Sequence, residues 1–288
     1  MSALLIQTVF NAAYAASYMA LIAVGLVLIF GVMGVINFAH GELYMMGAYA
    51  VVALYGALDV PFPLAVLAGL VFVGCLGLLM EVGLFRPLRE NPLGGLIASI
   101  GFLLILQSLA VLGFGLRMQN VLPVTKERLV LGGAVLTYER LIVIAAAVIV
   151  LTLLWLFLRK TRLGWALRAV AQDREAAALQ GISVDRTARY AMFIGAALAG
   201  IAGALTAPLV APTPYMGHPV IVTAFIIIIV GGIGSLEGAV IAAILYALVD
   251  TVVTTLYDGV IANIIGLLLM LGVLIVLPNG LFGARERA

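Results

Sequence analysis

No Asp, Glu, Lys or Arg occurs between Met1 and His40, and none between Tyr190 and Leu236. A soluble domain must dress its exterior in polar groups, and charge-free stretches of this length cannot supply them. The same bias runs through the whole chain. Of its 288 residues, 65% are hydrophobic and 10% are charged, against ~25% charged in soluble domains. Mean hydropathy is +1.26. Disorder is excluded by the same numbers, and a disulfide scaffold by the single Cys75. Lipid is the solvent that suits such a chain, which reads as an integral membrane protein in contact with the bilayer.

Within hydrocarbon the backbone must satisfy itself, so only helices and closed barrels span it. Barrel strands would show as ~10-residue alternating segments, whereas this chain has long apolar runs such as Leu141–Leu158 and Ile264–Leu277. A helix needs ~20 mostly apolar residues to cross ~30 Å of hydrocarbon. The expected fold is therefore all-α, a polytopic bundle with spans near 7–33, 42–58, 62–85, 94–113, 141–158, 190–210, 219–234, 238–256 and 261–277. That gives nine helices, or eight if the short, glycine-ended seventh is not a crossing.

Basic residues favour the cytoplasmic side. Arg86 and Arg89 share a short loop, seven more lie in 159–189 (Arg159, Lys160, Arg162, Arg168, Arg174, Arg186 and Arg189), and Arg285 and Arg287 end the chain. Nine spans with the N-terminus outside and the C-terminus cytoplasmic put all eleven inside. The other four (Arg117, Lys126, Arg128 and Arg140, in the loop 114–140) then lie outside.

No P-loop G-x-x-x-x-G-K-[ST] occurs, so nucleotide chemistry within the chain is not expected. One cysteine and two distant histidines leave no zinc site. Ser235 near Glu237 lacks the neighbouring base that a serine hydrolase requires. Neither cofactor nor nucleic acid is expected as a partner.

The loop 159–189 carries net charge +4, seven basic residues less Asp173, Glu175 and Asp185. Its stretch Leu167–Gln180 is rich in helix formers. Gly181 suits a helix stop with positive φ, Ile182 the apolar contact that follows, and Ser183 or Asp185 the cap of the next helix. Ala176, Ala177 and Leu179 offer a small apolar face to another protein; a plain solvated linker is the competing reading.

Glu175-Ala176-Ala177-x-x-x-Gly181 resembles the EAA loop of ABC importer permeases, the cytoplasmic helix that seats in a groove of the ATPase subunit. Thr161-Arg162-Leu163-Gly164 and Gly181-Ile182 fit the same neighbourhood. The run Gly31-Val-Met-Gly34-Val-Ile-Asn37-Phe-Ala-His40-Gly41-Glu42 closely resembles the branched-chain amino acid (LivH-type) branch, and Gly231-Gly232-Ile-Gly-Ser-Leu-Glu237-Gly238 extends the likeness toward the end of the chain. Unlike the wider importer pattern, no Leu-Pro follows Gly181.

Two stretches break the apolar runs with the same glycine spacing, Gly34–Gly41 and Gly231–Gly238, each followed at the same distance by Tyr-Ala (Tyr49-Ala50 and Tyr246-Ala247). Interrupted helices at corresponding positions often mark a transporter's path, which makes Asn37, His40, Glu42, Ser235 and Glu237 candidates for lining or gating it. Tight interfacial turns with helix caps are the alternative. Glu81, Gln107, Asp250 and Asn263 are isolated polar residues within spans; Glu81 is expected to pair structurally, and Asp250 stays open. Gly195, Ala199 and Gly203, four apart, suit close helix packing.

The resemblance implies a single permease domain over 1–288 in a bacterial-type inner membrane, with its ATPase-coupling loop at 159–189. The coupling residues it implies are Asp173, Arg174, Glu175, Ala176, Ala177 and Gly181. It further implies import of leucine, isoleucine and valine driven by two separate ABC ATPase subunits. A second, related permease subunit, forming a heterodimer, and an extracytoplasmic substrate-binding protein would complete the assembly. Selectivity would then reside mainly in the binding protein, with the permease a low-affinity conduit. Permeases for urea, short amides or another small solute, and ion-driven secondary transporters, remain the alternatives.

Overall fold

The first charge-free stretch forms one helix, α1 (Ser2–Met33), which extends for about 48 Å at 1.5 Å per residue. The structure is a computed structural model and describes residues 2–283; Arg285 and Arg287, counted above among the inside residues, lie outside the described residues. Gly34, at φ +62°, ends the helix. Beyond it come α2 (His40–Val51), which runs on as a π-helical turn over Val52–Ala57, and α3 (Phe62–Met80), extended likewise over Glu81–Phe85. Next are α4 (Pro92–Phe114), a two-stranded hairpin of β1 (Arg128–Leu131) and β2 (Ala134–Thr137), and α5 (Tyr138–Lys160). The remaining helices are α6 (Arg162–Gln172), α7 (Arg174–Leu179), α8 (Val184–Val210), α9 (Gly217–Gly231), α10 (Leu236–Leu256) and α11 (Gly259–Val276).

The protein is thus a polytopic helical membrane protein, and each of the nine expected segments is helical. Among the described residues seven helices are long and apolar enough to cross a membrane. Of the other two, α9 is shorter, with 15 residues, and α2 with its π turn opens on His40 and Glu42; both bear on the site below.

Helices α1 and α8 form the buried centre, while α4, α5 and α11 turn most of their surface outward. Leu, Ile and Val on those outward faces need no burial, because lipid is as apolar as a protein core. The small residues of α8 admit close neighbours: a Cβ on Gly195 would come within 2.6 Å of the Gly25 carbonyl of α1, and one on Gly203 would collide with the Tyr44 carbonyl of α2.

The two ends of the bundle differ. At one end α6 and α7 form an elbow, and the first turn of α8 beyond it is joined to the α3–α4 turn by ion pairs from Arg86 and Arg89 to Asp185. At the other lies the hairpin, with Arg128 opposite Thr137 and both turn residues, Gly132 and Gly133, at positive φ. The Gly-Gly pair meets the backbone demand of a two-residue hairpin turn, which the reading of 114–140 as a plain loop overlooked. Val135 N donates to Gln7 Oε1 at 3.0 Å, tying the hairpin to the start of α1.

Candidate functional site

The segment between α1 and α2 does not simply turn at the membrane surface. It climbs back into the bundle along α4. Val35 lies over Gly95 in the first turn of α4, Phe38 N donates to Ser99 Oγ at 3.2 Å, and Glu42 Oε1 accepts from Gln107 Nε2 at 2.9 Å. From Pro92 to Gln107 is about 22 Å at helical rise, so α2 begins deep in the bundle. His40 Nε2 donates to the Ile22 carbonyl at 3.1 Å, well before the end of α1. Non-helical backbone at this depth is tolerated only when buried in protein or lining a cavity.

A second segment enters from the opposite end. Gln119 N donates to the Pro212 carbonyl at 2.9 Å near the hairpin end. By Gly217 the chain has descended to the level of Glu42, whose carboxylate lies against that glycine. The first residues of α2 and α9 therefore meet inside the bundle, and a Cβ on Gly41 would strike the Gly217 carbonyl. The shortness of α9 follows, because the irregular segment 211–216 completes its crossing. The structural counterpart of the Gly34–Gly41 break is this segment and not Gly231–Gly238, which forms a compact turn at the elbow end.

Asn37, His40 and Glu42 are fully buried. Asn37 Oδ1 accepts from Ala39 N at 3.0 Å, an Asx turn that starts α2. Among the described residues Asn37 Nδ2, His40 Nδ1 and Glu42 Oε2 are buried without a hydrogen-bond partner. Ser235 and Glu237 sit apart from these three. Ser235 Oγ accepts from Gly238 N at 3.0 Å and caps α10, while Glu237 pairs with Arg159 at 3.1 Å on the exposed surface of the elbow end.

The stretch expected as one helix over 167–180 is broken in two at Asp173, which is extended (φ −156°, ψ 112°). Its Oδ1 accepts from Ala176 N at 2.9 Å; a short carboxylate satisfies free amides at a helix start better than it serves a helix interior. Gly181, at φ +82°, closes α7: its N–H reaches the Ala178 carbonyl at 2.9 Å, and Ile182 N–H the Ala177 carbonyl at 3.1 Å, the paired bonds of a Schellman stop. Ser183 caps α8. Glu175 and Ala176 are exposed, and Leu179 is 88% exposed, whereas Ala177 packs inward against the bundle and is no part of the outer face. Arg174 reaches inward as well, and its partial burial, with Arg89 nearby, lowers its pKa.

Glu81 is fully buried and accepts from Arg89 Nη2 at 2.6 Å, the structural pairing expected of it, through Arg89 rather than Arg86. Arg89 also binds Asp185.

A cavity of about 450 Å³ opens toward the hairpin end. Its polar lining comes from Tyr18, Tyr44, Thr213, Thr223, Asp250 and Asn263, set among Met19, Ile22, Val220 and other apolar side chains. Sequence reasoning singled out Asp250 and Asn263 as isolated polar residues but not as a site. The available signal was their presence in adjacent spans; nothing local puts them around one space.

The family model described as "Branched-chain amino acid transport system / permease component" matches residues 8–278. The high-affinity branched-chain amino acid transport system permease protein LivH of Escherichia coli K12 is 32% identical over 299 residues, 98% of this chain and 96% of the relative. The corresponding BraD protein of Pseudomonas aeruginosa is 30% identical over 296 residues, again 98% and 96%. A chain of the solved structure of PsaBC from Streptococcus pneumoniae in complex with Fab is similar in fold alone: TM-score 0.54, 13% identity, 93% of this chain and 91% of that one.

Proposed function

This chain belongs to the family of permease components of branched-chain amino acid transport systems, and on that premise we propose that it is the membrane-spanning subunit of an ATP-driven importer of leucine, isoleucine and valine. The observation that carries the reading is the elbow of α6 and α7. It is a short exposed helix, stopped by Gly181 and anchored inward through Arg174, with a solvent-facing surface of Glu175, Ala176 and Leu179 for a second protein to grip.

Energy then enters from outside the chain. Of two ATPase subunits one seats on this elbow, the other serves a second, related permease that completes the membrane unit as a heterodimer, and a substrate-binding protein docks at the hairpin end. The elbow end is cytoplasmic in this arrangement, in keeping with the basic residues gathered there, and the membrane is the bacterial inner membrane. Residues 1–288 act as one permease domain, with 159–189 as its coupling loop.

The path runs from the cavity at the hairpin end past the meeting point of α2 and α9. Asn37, His40 and Glu42 supply polar atoms at the depth where two irregular segments interrupt the helices, a feature that suits a mobile barrier. Ser235 and Glu237 stand at the elbow end, beside the way out. An apolar zwitterion needs few fixed ligands, so selectivity rests mainly with the binding protein and the permease is a low-affinity conduit. Tight leucine binding by the purified complex without binding protein would contradict that division of labour.

Reconstitution decides the matter. The assembled complex in proteoliposomes, supplied with its binding protein, should take up radiolabelled leucine only when ATP is present. Uptake by the permease alone under an ion gradient would overturn the importer reading, and competition by urea or acetamide but not by isoleucine would replace the substrate class.

A further inference from the structure

Asp250 lies on α10, within a helix long and apolar enough to cross the membrane, and it lines the cavity of about 450 Å³. A carboxylate in such a segment is costly and persists where it meets a counter-charge or water. Among the described residues Asp250 has no ion-pair partner, and no Lys, Arg or His lines the cavity. The counter-charge that would suit it is therefore not one of the lining side chains.

The remaining walls say what kind of molecule would bring that charge. Asn263 and Thr223 contribute an amide and a hydroxyl to the same space, groups that donate hydrogen bonds to an anion. Met19, Ile22 and Val220 contribute apolar surface. One cation-seeking carboxylate, neutral donors that include Asn263 and Thr223, and an aliphatic wall together match an α-amino acid zwitterion with a hydrocarbon side chain. The volume lies within the ~300–1,000 Å³ range of small-molecule sites. A neutral amide would leave the carboxylate without its counter-charge.

We infer that Asp250 receives the α-ammonium group of the transported amino acid, with Asn263 and Thr223 holding its carboxylate and Met19, Ile22 and Val220 its side chain. The inference rests on the importer reading and refines it: the permease carries a weak subsite that screens the charge pattern of the solute, while affinity stays with the binding protein.

The test uses the complete transporter in proteoliposomes, with leucine-loaded binding protein and ATP. If the wild-type complex shows no ATP-dependent uptake, the importer reading fails whatever Asp250 does. If the wild type transports, Asp250→Asn should lower leucine uptake about tenfold, as expected for the loss of one charge-assisted contact. Its subunits should still copurify in the wild-type ratio. Asp250→Glu should recover part of the uptake, and Asn263→Ala should give a smaller loss. Wild-type uptake in Asp250→Asn overturns the assignment. So does loss of a subunit from that variant, which would show the carboxylate pairing with a cation on a neighbouring chain.

Discussion

Arg174 Nε donates to the main-chain carbonyl of Val32 at 3.0 Å, joining residues 142 positions apart. The acceptor belongs to the last turn of α1, where carbonyls lack helical partners, and the guanidinium also lies beside Gly34. The elbow is thereby fastened to the point where the chain leaves α1 and re-enters the bundle. In the proposed coupling, this bond would carry movement of α7 to the segment that holds Asn37, His40 and Glu42.

Arg174→Ala should therefore separate the two activities of the assembled complex. ATPase subunits should remain bound and hydrolyse ATP, while leucine uptake falls about tenfold, the scale of one lost hydrogen bond from a charged group. Arg174→Lys should rescue poorly, because a lysine ammonium does not reproduce the planar guanidinium. Parallel measurements of hydrolysis and uptake check this; equal loss of both would count against it.

Gly181→Val should weaken the attachment of the ATPases. The position requires φ +82°, and a residue with a Cβ pays roughly 1–2 kcal/mol there, more if β-branched. No heavy atom outside the local chain lies within 4 Å of a Cβ at Gly181, so backbone conformation and not crowding is the cause. Copurification of ATPase with tagged permease reads the effect, and Gly181→Asn should be the mildest substitution.

Gly41→Ala should destabilise the protein where Gly101→Ala does not. A Cβ at Gly41 meets the Gly217 carbonyl, whereas one at Gly101 meets nothing within 4 Å. Overpacking of a close backbone contact costs about 1–3 kcal/mol, so the first variant should show a lower melting temperature in detergent and the second a value near wild type.

Arg89→Ala should be more damaging than the double change Arg89→Ala with Glu81→Leu. Removing Arg89 alone strands the fully buried Glu81 carboxylate, at a cost of about 3–5 kcal/mol for a broken buried pair. Removing both leaves no buried charge. Thermal unfolding of the two variants in detergent measures the difference; equal melting temperatures would refute it.

Hydropathy and helix-stop chemistry are local, and the parts of this protein that depend on them were legible residue by residue. Apolar runs gave helices at every expected span, Gly181 gave the stop of the elbow and Ser183 the cap of α8, and Glu81 found its arginine eight positions away. The break at Asp173 was locally encoded too, since an Asp before Arg-Glu-Ala-Ala is a natural N-cap, but the helix-forming composition on both sides hid it.

What the tertiary structure alone decided is depth and juxtaposition. Nothing near Val35 says that the chain will turn back along α4, because the Ser99 and Gln107 side chains that receive it lie 61 and 65 positions from their partners Phe38 and Glu42. Nor does any pattern place Asp250 and Asn263 around one cavity. Lipid rewards an apolar residue equally on every outward face, so hydropathy identifies crossings without ranking their arrangements; the choice among them falls to close glycine contacts and buried polar partners that meet only once the helices are packed.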